Sequence, residues 1–464
     1  VFQETTVVAT GPADAPHPVA AHFFNLAQQA ARRGDLEAAE QLCASVLALD
    51  PGQTAASQFL ISQALDPSNP ARSPARALDL SLQALDCARA STGQSVIAQL
   101  HFLHGCALEA LGERESARAA FAQAHALDDQ MFLALFSQGV QEEALGMADA
   151  HLRTYQRALN LAQRVGAFDD AAPLTADARQ RIEHAATAIH NARAAAVEQA
   201  LAPIRTCHGS AAIVRIEQAA GMCLGDIDIA WAHPLQRPTF MLIPGLEPRP
   251  WFEREEFGFL ADIEQHTAVI LDELRAVLAD ASALSPYVDM PDAAPATAVW
   301  RDLNRSARWS SYHLFRHGER VDAHCQRCPR TLAALESTPL MRIPEHSPEA
   351  VFSLLQAGTH IPPHTGVMNG RLTVHLPLIV PADCGALKAG DEARTWTAGR
   401  CLIFDDSFTH EAWNHCGEDR AVLIFDIWDP RLSEAEREAV SAVIAAIGRF
   451  NRAYCDEDAT QEAH

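Results

Sequence analysis

The chain has 464 residues, with 59 acidic against 36 basic side chains and a formal net charge of −23 at pH 7. A surface that acidic repels phosphate backbones and excludes nucleic acid as a natural partner. Apolar residues make up 48 % of the sequence, enough for a sizeable core, but their longest run falls far short of the ~20 residues a membrane-spanning helix needs.

Residues 1–17 lack a basic region followed by an apolar core. They do not read as a secretory signal and are expected to form a disordered leader. The eleven cysteines are odd in number and sit mostly singly inside helical or strand patterns. That usage fits reduced, buried thiols and a cytoplasmic location. Cys325 and Cys328 form one CxxC pair, yet no second pair or histidine pair at a suitable spacing accompanies it to complete a zinc site.

Residues 18–165 are alanine-rich and helical in pattern. Gly105, Gly112, Ala117, Phe121 and Ala124 recur 34 residues later as Gly139, Gly146, His151, Tyr155 and Ala158. An earlier copy holds Phe23, Leu26, Ala27, Ala30, Gly34, Ala39, Cys43 and Val46. Small residues let two antiparallel helices approach, and the large one fills the gap between them. A generic helical bundle is the plainer reading, but the recurrence resembles the tetratricopeptide repeat (TPR). One copy is irregular, interrupted by the insert DPSNPARSPA at Asp66 to Ala75. We therefore expect three recognisable repeats and one degenerate one, stacked into a solenoid. Its groove would hold a peptide or protein.

A break follows in FDDAAPLT, Phe168 to Thr175. Residues 166–232 read as a helical connector, in which the residues at i+3 and i+4 from His184 and His190 are not metal ligands, so both histidines read as solvated or packing side chains. From residue 233 to 450 the character changes. HPLQRPTFMLIPGLEPRPW precedes a helix predicted over about Glu255 to Asp280, and short strands follow beyond Val299. WSSYHLF, VFSLL, RLTVHLPLIV, RCLIFDD and RAVLIFDIW, bounded by Gly, Pro or Asp, indicate a sandwich or barrel. Residues 451–464 read as a tail.

In RLTVHLPLIV, Leu372, Val374, Leu376 and Leu378 share one face, and Arg371, Thr373 and His375 the other. An edge strand with its polar face in water fits this alternation. So does an inward polar face that a ligand satisfies. His364 and His410, each beside an apolar run and 46 residues apart, favour the second. Imidazole is a common ligand for Fe(II), Zn(II) and Cu(II). A mononuclear iron oxygenase usually adds a carboxylate two residues after its first histidine, and here that place is Gly366.

RPTFMLIPGL, HTGVMNGRLTVHLPL, RTWTAGRCLIFDDSFTHEAW and the downstream Arg420 together resemble the aspartyl/asparaginyl β-hydroxylase family, over about Gln236 to Ala442. The resemblance implies a multidomain α + β chain whose C-terminal part is a double-stranded β-helix (jelly roll, cupin-like) with flanking helices. It implies Fe(II) held by two histidines only, His364 and His410, and 2-oxoglutarate as cosubstrate. Arg420 would pair with the distal carboxylate, a bidentate role that guanidinium suits. Ser353 would hydrogen-bond the same carboxylate, Trp309 would line the cosubstrate, and His375 would lie near its other end, with Thr373 on the same inward face. Trp309 could also be ordinary core. Asp405 and Asp406 could orient His410, cap a turn, or supply the missing carboxylate.

Two departures stand out. Animal members carry an arginine where this chain has Thr373, and it helps grip the substrate's acidic side chain; Arg371 or Arg301 are candidate substitutes. Those members also have a disulfide, of which Cys325 matches one partner while the other falls near Leu332. The expected reaction is hydroxylation of an unactivated C–H bond, first the β-carbon of an Asp/Asn-type residue in a peptide or protein presented by the repeats. The alternatives are a lipid acyl chain or small molecule as substrate, or a non-catalytic TPR scaffold with a degenerate oxygenase domain.

Overall fold

Gly105 and Gly139 show at atomic scale why the repeats pair. A Cβ on Gly105 would meet the Phe121 ring, and one on Gly139 would collide with the Tyr155 ring. The glycine on one helix thus makes room for the aromatic on the next, at both copies of the 34-residue period.

The computed structural model describes residues 18–88, 92–168, 174–291 and 297–454. The leader expected at 1–17, part of the break after Phe168, and residues 455–464 of the expected tail lie outside these. The chain divides into two compact units, one reaching to Ala192 and the other running from Arg193 to Arg452.

The first unit is a TPR-like helical solenoid. Its antiparallel pairs are α1 (Pro18–Arg32) with α2 (Leu36–Leu49), α3 (Thr54–Leu65) with α4 (Pro74–Asp86), α5 (Gln94–Leu111) with α6 (Arg114–Leu127), and α7 (Phe132–Ala144) with α8 (Ala148–Arg164). The insert separates α3 from α4. Ser73 ends it by accepting a hydrogen bond from the Arg76 N–H, and Pro74 takes a first-turn position where its missing N–H costs nothing. Gly34, Gly112 and Gly146 turn the chain within three of the pairs at φ of 79°, 83° and 72°, a region open to glycine without strain.

The stretch expected as a connector holds α9 (Ala176–His208) and α10 (Val214–Leu224). The division between units falls inside α9. Val197 and Leu201 of α9 and Ile216 and Ala219 of α10 pack with Met241, Ile243, Met368 and Val440 in one core of the second unit.

The second unit contains two antiparallel sheets. One has the order β1 (Trp251–Phe252), β10 (Leu402–Phe404), β7 (Arg371–Ile379), β12 (Arg420–Trp428), β5 (Ala350–Leu355), β3 (Trp309–Arg316), β2 (Ser285–Pro286), with β4 (Glu319–Arg320) beside β3. The other has the order β6 (Thr359–His364), β11 (His410–Asn414), β8 (Leu387–Ala389), β9 (Glu392–Arg394). This is the double-stranded β-helix. Leu372, Val374, Leu376 and Leu378 of β7 face a core shared with Ile270, Leu274 and Val277 of the helix Thr267–Leu278. The helix predicted over residues 255–280 is broken, with Leu260–Gln265 and Thr267–Leu278 meeting at His266. His266 donates its backbone N–H to Ile263 O, and the Thr267 hydroxyl donates to Glu264 O. Local side-chain bonding of this kind competes with a continuous helix.

Candidate active site

The polar face of β7 opens on a cavity of about 220 Å³. Every candidate site residue lines it: Trp309, Ser353, His364, Thr373, His375, His410 and Arg420. They come from both sheets, so the strand alternation resolves in favour of an inward polar face. The four-stranded sheet carries the two histidines and the larger sheet carries the rest.

His364 ends β6 and His410 begins β11, and the two are register partners. Their ring centroids lie 4.0 Å apart. Pro362 and Pro363 fix the approach of β6 through their locked φ. The Nδ1 of each ring bonds the backbone carbonyl two residues earlier, Pro362 O at 2.8 Å for His364 and Phe408 O at 3.0 Å for His410. A neutral imidazole must donate its N–H there, which leaves the Nε2 lone pair free. Burial, followed by the neighbouring His410 ring, pushes His364 down to about 3. Burial also lowers His410, with Asp406 acting against it. Both rings therefore stay unprotonated, the state a metal requires. Two neutral imidazoles that line one cavity, each with its Nδ1 engaged by a backbone carbonyl, fit an Fe(II) ion.

No group of three or more His, Cys, Asp or Glu side chains surrounds a common metal position among the described residues. Gly366 explains why no carboxylate stands at its place. A Cβ there would collide with the Asp406 carboxylate. Asp406 itself forms an ion pair with Arg371, which also reaches Asp426 at 3.4 Å. Asp405 holds the turn before His410. Its carboxylate accepts from the Ser407 N–H at 2.9 Å, the Ser407 hydroxyl and Gln236 Nε2.

Arg420 opens β12 and is 1 % exposed. Asn414 fixes the turn before it by donating to Glu418 O and Leu355 O. The guanidinium lies over the Trp396 ring at 4.3 Å, and its Nε and Nη1 have no hydrogen-bond partner. Burial lowers it to about 10. A buried cation with unmet donors costs several kcal/mol until an anion arrives. Trp309 Nε1 donates to Ser353 Oγ at 3.0 Å, which leaves the Ser353 hydroxyl proton for a ligand. Trp396 Nε1 lies 3.5 Å from His375 Nδ1. His375 is buried and held well below its usual range, first by burial and then by Arg420. Thr373 Oγ1 is buried without a partner. This set of donors fits a small dianionic keto acid.

Arg301 is exposed and lies away from the cavity lining, whereas Arg371 lines it. Cys325 is a buried free thiol that donates to Leu314 O. Three site features were missed in the sequence. Trp396 lies under Arg420 and stood inside a quoted motif. Tyr287 stacks on Trp309 with centroids 3.9 Å apart but sits in a loop without periodicity. The pairing of Arg371 with two carboxylates joins residues up to 55 apart in sequence.

Residues 264–430 match the family model described as aspartyl/asparaginyl beta-hydroxylase. The ornithine lipid ester-linked acyl 2-hydroxylase of Rhizobium tropici is 32% identical over 240 residues, which span 51% of this chain and 79% of that protein. The human aspartyl/asparaginyl beta-hydroxylase is 31% identical over 204 residues, 43% of this chain and 25% of that protein. The human aspartate beta-hydroxylase domain-containing protein 2 is 31% identical over 215 residues, 46% of this chain and 56% of that protein. The chain thus spans about a quarter of the length of the human hydroxylase it matches. With the motifs, the sheet pair and the histidine pair in agreement, the chain belongs to the aspartyl/asparaginyl β-hydroxylase family.

Proposed function

We propose that the second unit is an Fe(II)- and 2-oxoglutarate-dependent dioxygenase that hydroxylates an unactivated C–H bond. The observation that carries this reading is Arg420: a wholly buried guanidinium with unmet donors, in the same cavity as two neutral, paired imidazoles. When bound, iron with 2-oxoglutarate and dioxygen supplies an oxidative decarboxylation to succinate and carbon dioxide, with one oxygen atom entering the substrate C–H bond.

The chain's own residues do the positioning. His364 and His410 hold the metal through Nε2, with tautomers fixed by the Pro362 and Phe408 carbonyls. Arg420 and Ser353 bind the distal carboxylate, and Trp309 keeps the Ser353 proton turned toward it. Trp396 leaves His375 with its proton on Nε2, available to donate. Leu387, Phe404 and Ile424 line the remaining wall and keep water from the reacting carbon. Turnover of 2-oxoglutarate by His364→Ala and His410→Ala tests the assignment: loss in both supports it, and unchanged turnover in both removes it. The assembled site also weighs against a degenerate, non-catalytic domain.

Two substrate classes fit the family. An Asp/Asn-type residue would be hydroxylated at its β-carbon, with the repeats binding the polypeptide that carries it. A hydrocarbon chain is the second reading, and one observation favours it. With Thr373 in place of an arginine, the cavity's cations are Arg420, which the cosubstrate takes, and Arg371, which Asp406 and Asp426 already neutralise. A substrate carboxylate there would meet the carboxylates of Glu349, Asp406 and Asp426 and no free cation among the lining residues. The ten cysteines among the described residues are all unpaired, which supports a reducing, cytoplasmic setting.

A further inference from the structure

Tyr287, Glu349 and Arg371 line the iron-site cavity and also a second, larger one of about 570 Å³. That volume lies within the range of small-molecule sites. Its wall is largely apolar, built from Phe240, Met341, Val367, Met368, Ile444 and Ile447. Phe240 and Val367 are 39 % and 42 % exposed, unusual for large apolar side chains. The two methionines give the wall an adaptable, polarisable surface.

The polar groups are unevenly spread. Glu349 accepts from the His317 backbone N–H at 2.6 Å and lies 3.4 Å from His313 Nδ1. Arg371 is held by Asp406 and Asp426. The wall that the two cavities share therefore offers no free cation among the described residues. Arg316, by contrast, lines the larger cavity, is exposed, and has no ion-pair partner among the described residues. His346 lines it too, and its buried Nε2 has no hydrogen-bond partner.

We propose that this cavity binds the unbranched hydrocarbon chain of an anionic amphiphile. The anionic end sits at Arg316 and His346, and a chain carbon reaches the histidine pair past Tyr287 and Arg371. The reaction on that carbon rests on the hydroxylase reading, but the binding does not. An acyl chain withdraws apolar surface from water along the methionine wall, and its charge stays at Arg316, the lining guanidinium without an ion-pair partner among the described residues. The same chemistry is offered by a free fatty acid and by an anionic membrane lipid.

The test uses the full chain, without metal or 2-oxoglutarate, and a fluorescent polyene fatty acid as probe. Saturable binding displaced by tetradecanoate is expected. Val367→Glu and Phe240→Glu alter exposed wall residues and should each weaken binding about tenfold by placing a charge against the chain. Arg316→Ala should lower affinity for the acid about threefold, the size of one exposed ion pair, and leave affinity for tetradecanol unchanged. Displacement by anionic phospholipid vesicles supports a lipid source, and displacement by the free acid alone supports a soluble one. Non-saturable binding, displacement only by an apolar peptide, or wild-type affinity in both glutamate variants overturns the proposal. Intact 2-oxoglutarate turnover without probe binding removes the chain site alone. Probe binding without turnover removes the hydroxylase reading and leaves the chain site standing.

Discussion

The Asp406 carboxylate fills the space that a side chain at Gly366 would enter, while its own Oδ1 is buried without a hydrogen-bond partner. The glycine and the aspartate are therefore one feature, in which the absence of a side chain at one position is required by the presence of the other. Introducing Gly366→Asp should not supply a third metal ligand. It should destabilise the second unit by about 1–3 kcal/mol through overpacking. Adding Asp406→Ala should return part of that loss, because the two residues compete for one space. Thermal unfolding of both single variants and the double variant checks this; additive losses would contradict it.

On the proposed reading, Arg420 serves its ligand and not stability. Arg420→Met removes a buried charge whose Nε and Nη1 have no hydrogen-bond partner among the described residues, so the ligand-free variant should melt no lower than the parent. The parent should gain about 2.7 kcal/mol from 2-oxoglutarate at a hundred times its dissociation constant, with metal present. The methionine variant should gain nothing. Melting curves with and without the keto acid separate these outcomes.

Acid should weaken the fold by way of the histidine pair. His364 titrates at about 3 in the folded chain, whereas an unfolded histidine takes up its proton near ~6.5. Between those values the unfolded state binds more protons, so stability falls as pH drops through that window, by up to about 1.4 kcal/mol per pH unit for this group. Asp426 has the opposite sign. Burial raises it to about 6, so its contribution is present below the ordinary carboxylate range and is lost as pH rises through 6. His364→Asn, which cannot titrate, should flatten the acid limb of a denaturant-derived stability curve between pH 3.5 and 6.5 relative to the parent (pH values approximate).

In the repeats, Gly139→Ala should cost about 1–3 kcal/mol, since its Cβ would strike the Tyr155 ring. Gly112→Ala should cost less. Nothing lies within 4 Å of its Cβ, and only the φ of 83° opposes it. Chemical denaturation of the two variants checks the order.

Residues that act through local pattern were legible in the sequence. The Gly105–Phe121 and Gly139–Tyr155 contacts follow from a fixed period, and the inward face of β7 follows from strand alternation. His364, His410 and Arg420 stood at strand ends in long motifs. What stayed hidden depends on side chains that meet only after folding. The pairing of Arg371 with Asp406 and Asp426, which bears on substrate choice, joins three strands or loops and leaves no periodic trace. The break at His266 was likewise invisible, because apolar spacing continues across it while one turn of backbone bonding does not. The second cavity combines residues from 240 to 451, and no single stretch announces it.

The most direct measurement is anaerobic calorimetry of Fe(II) and then 2-oxoglutarate binding to the parent chain, His364→Ala, His410→Ala and Arg420→Met. The parent should bind one iron and then one keto acid, both histidine variants should lose the iron, and Arg420→Met should keep the iron but lose the keto acid. Iron bound undiminished by either histidine variant, or 2-oxoglutarate bound undiminished without Arg420, would contradict the proposed site.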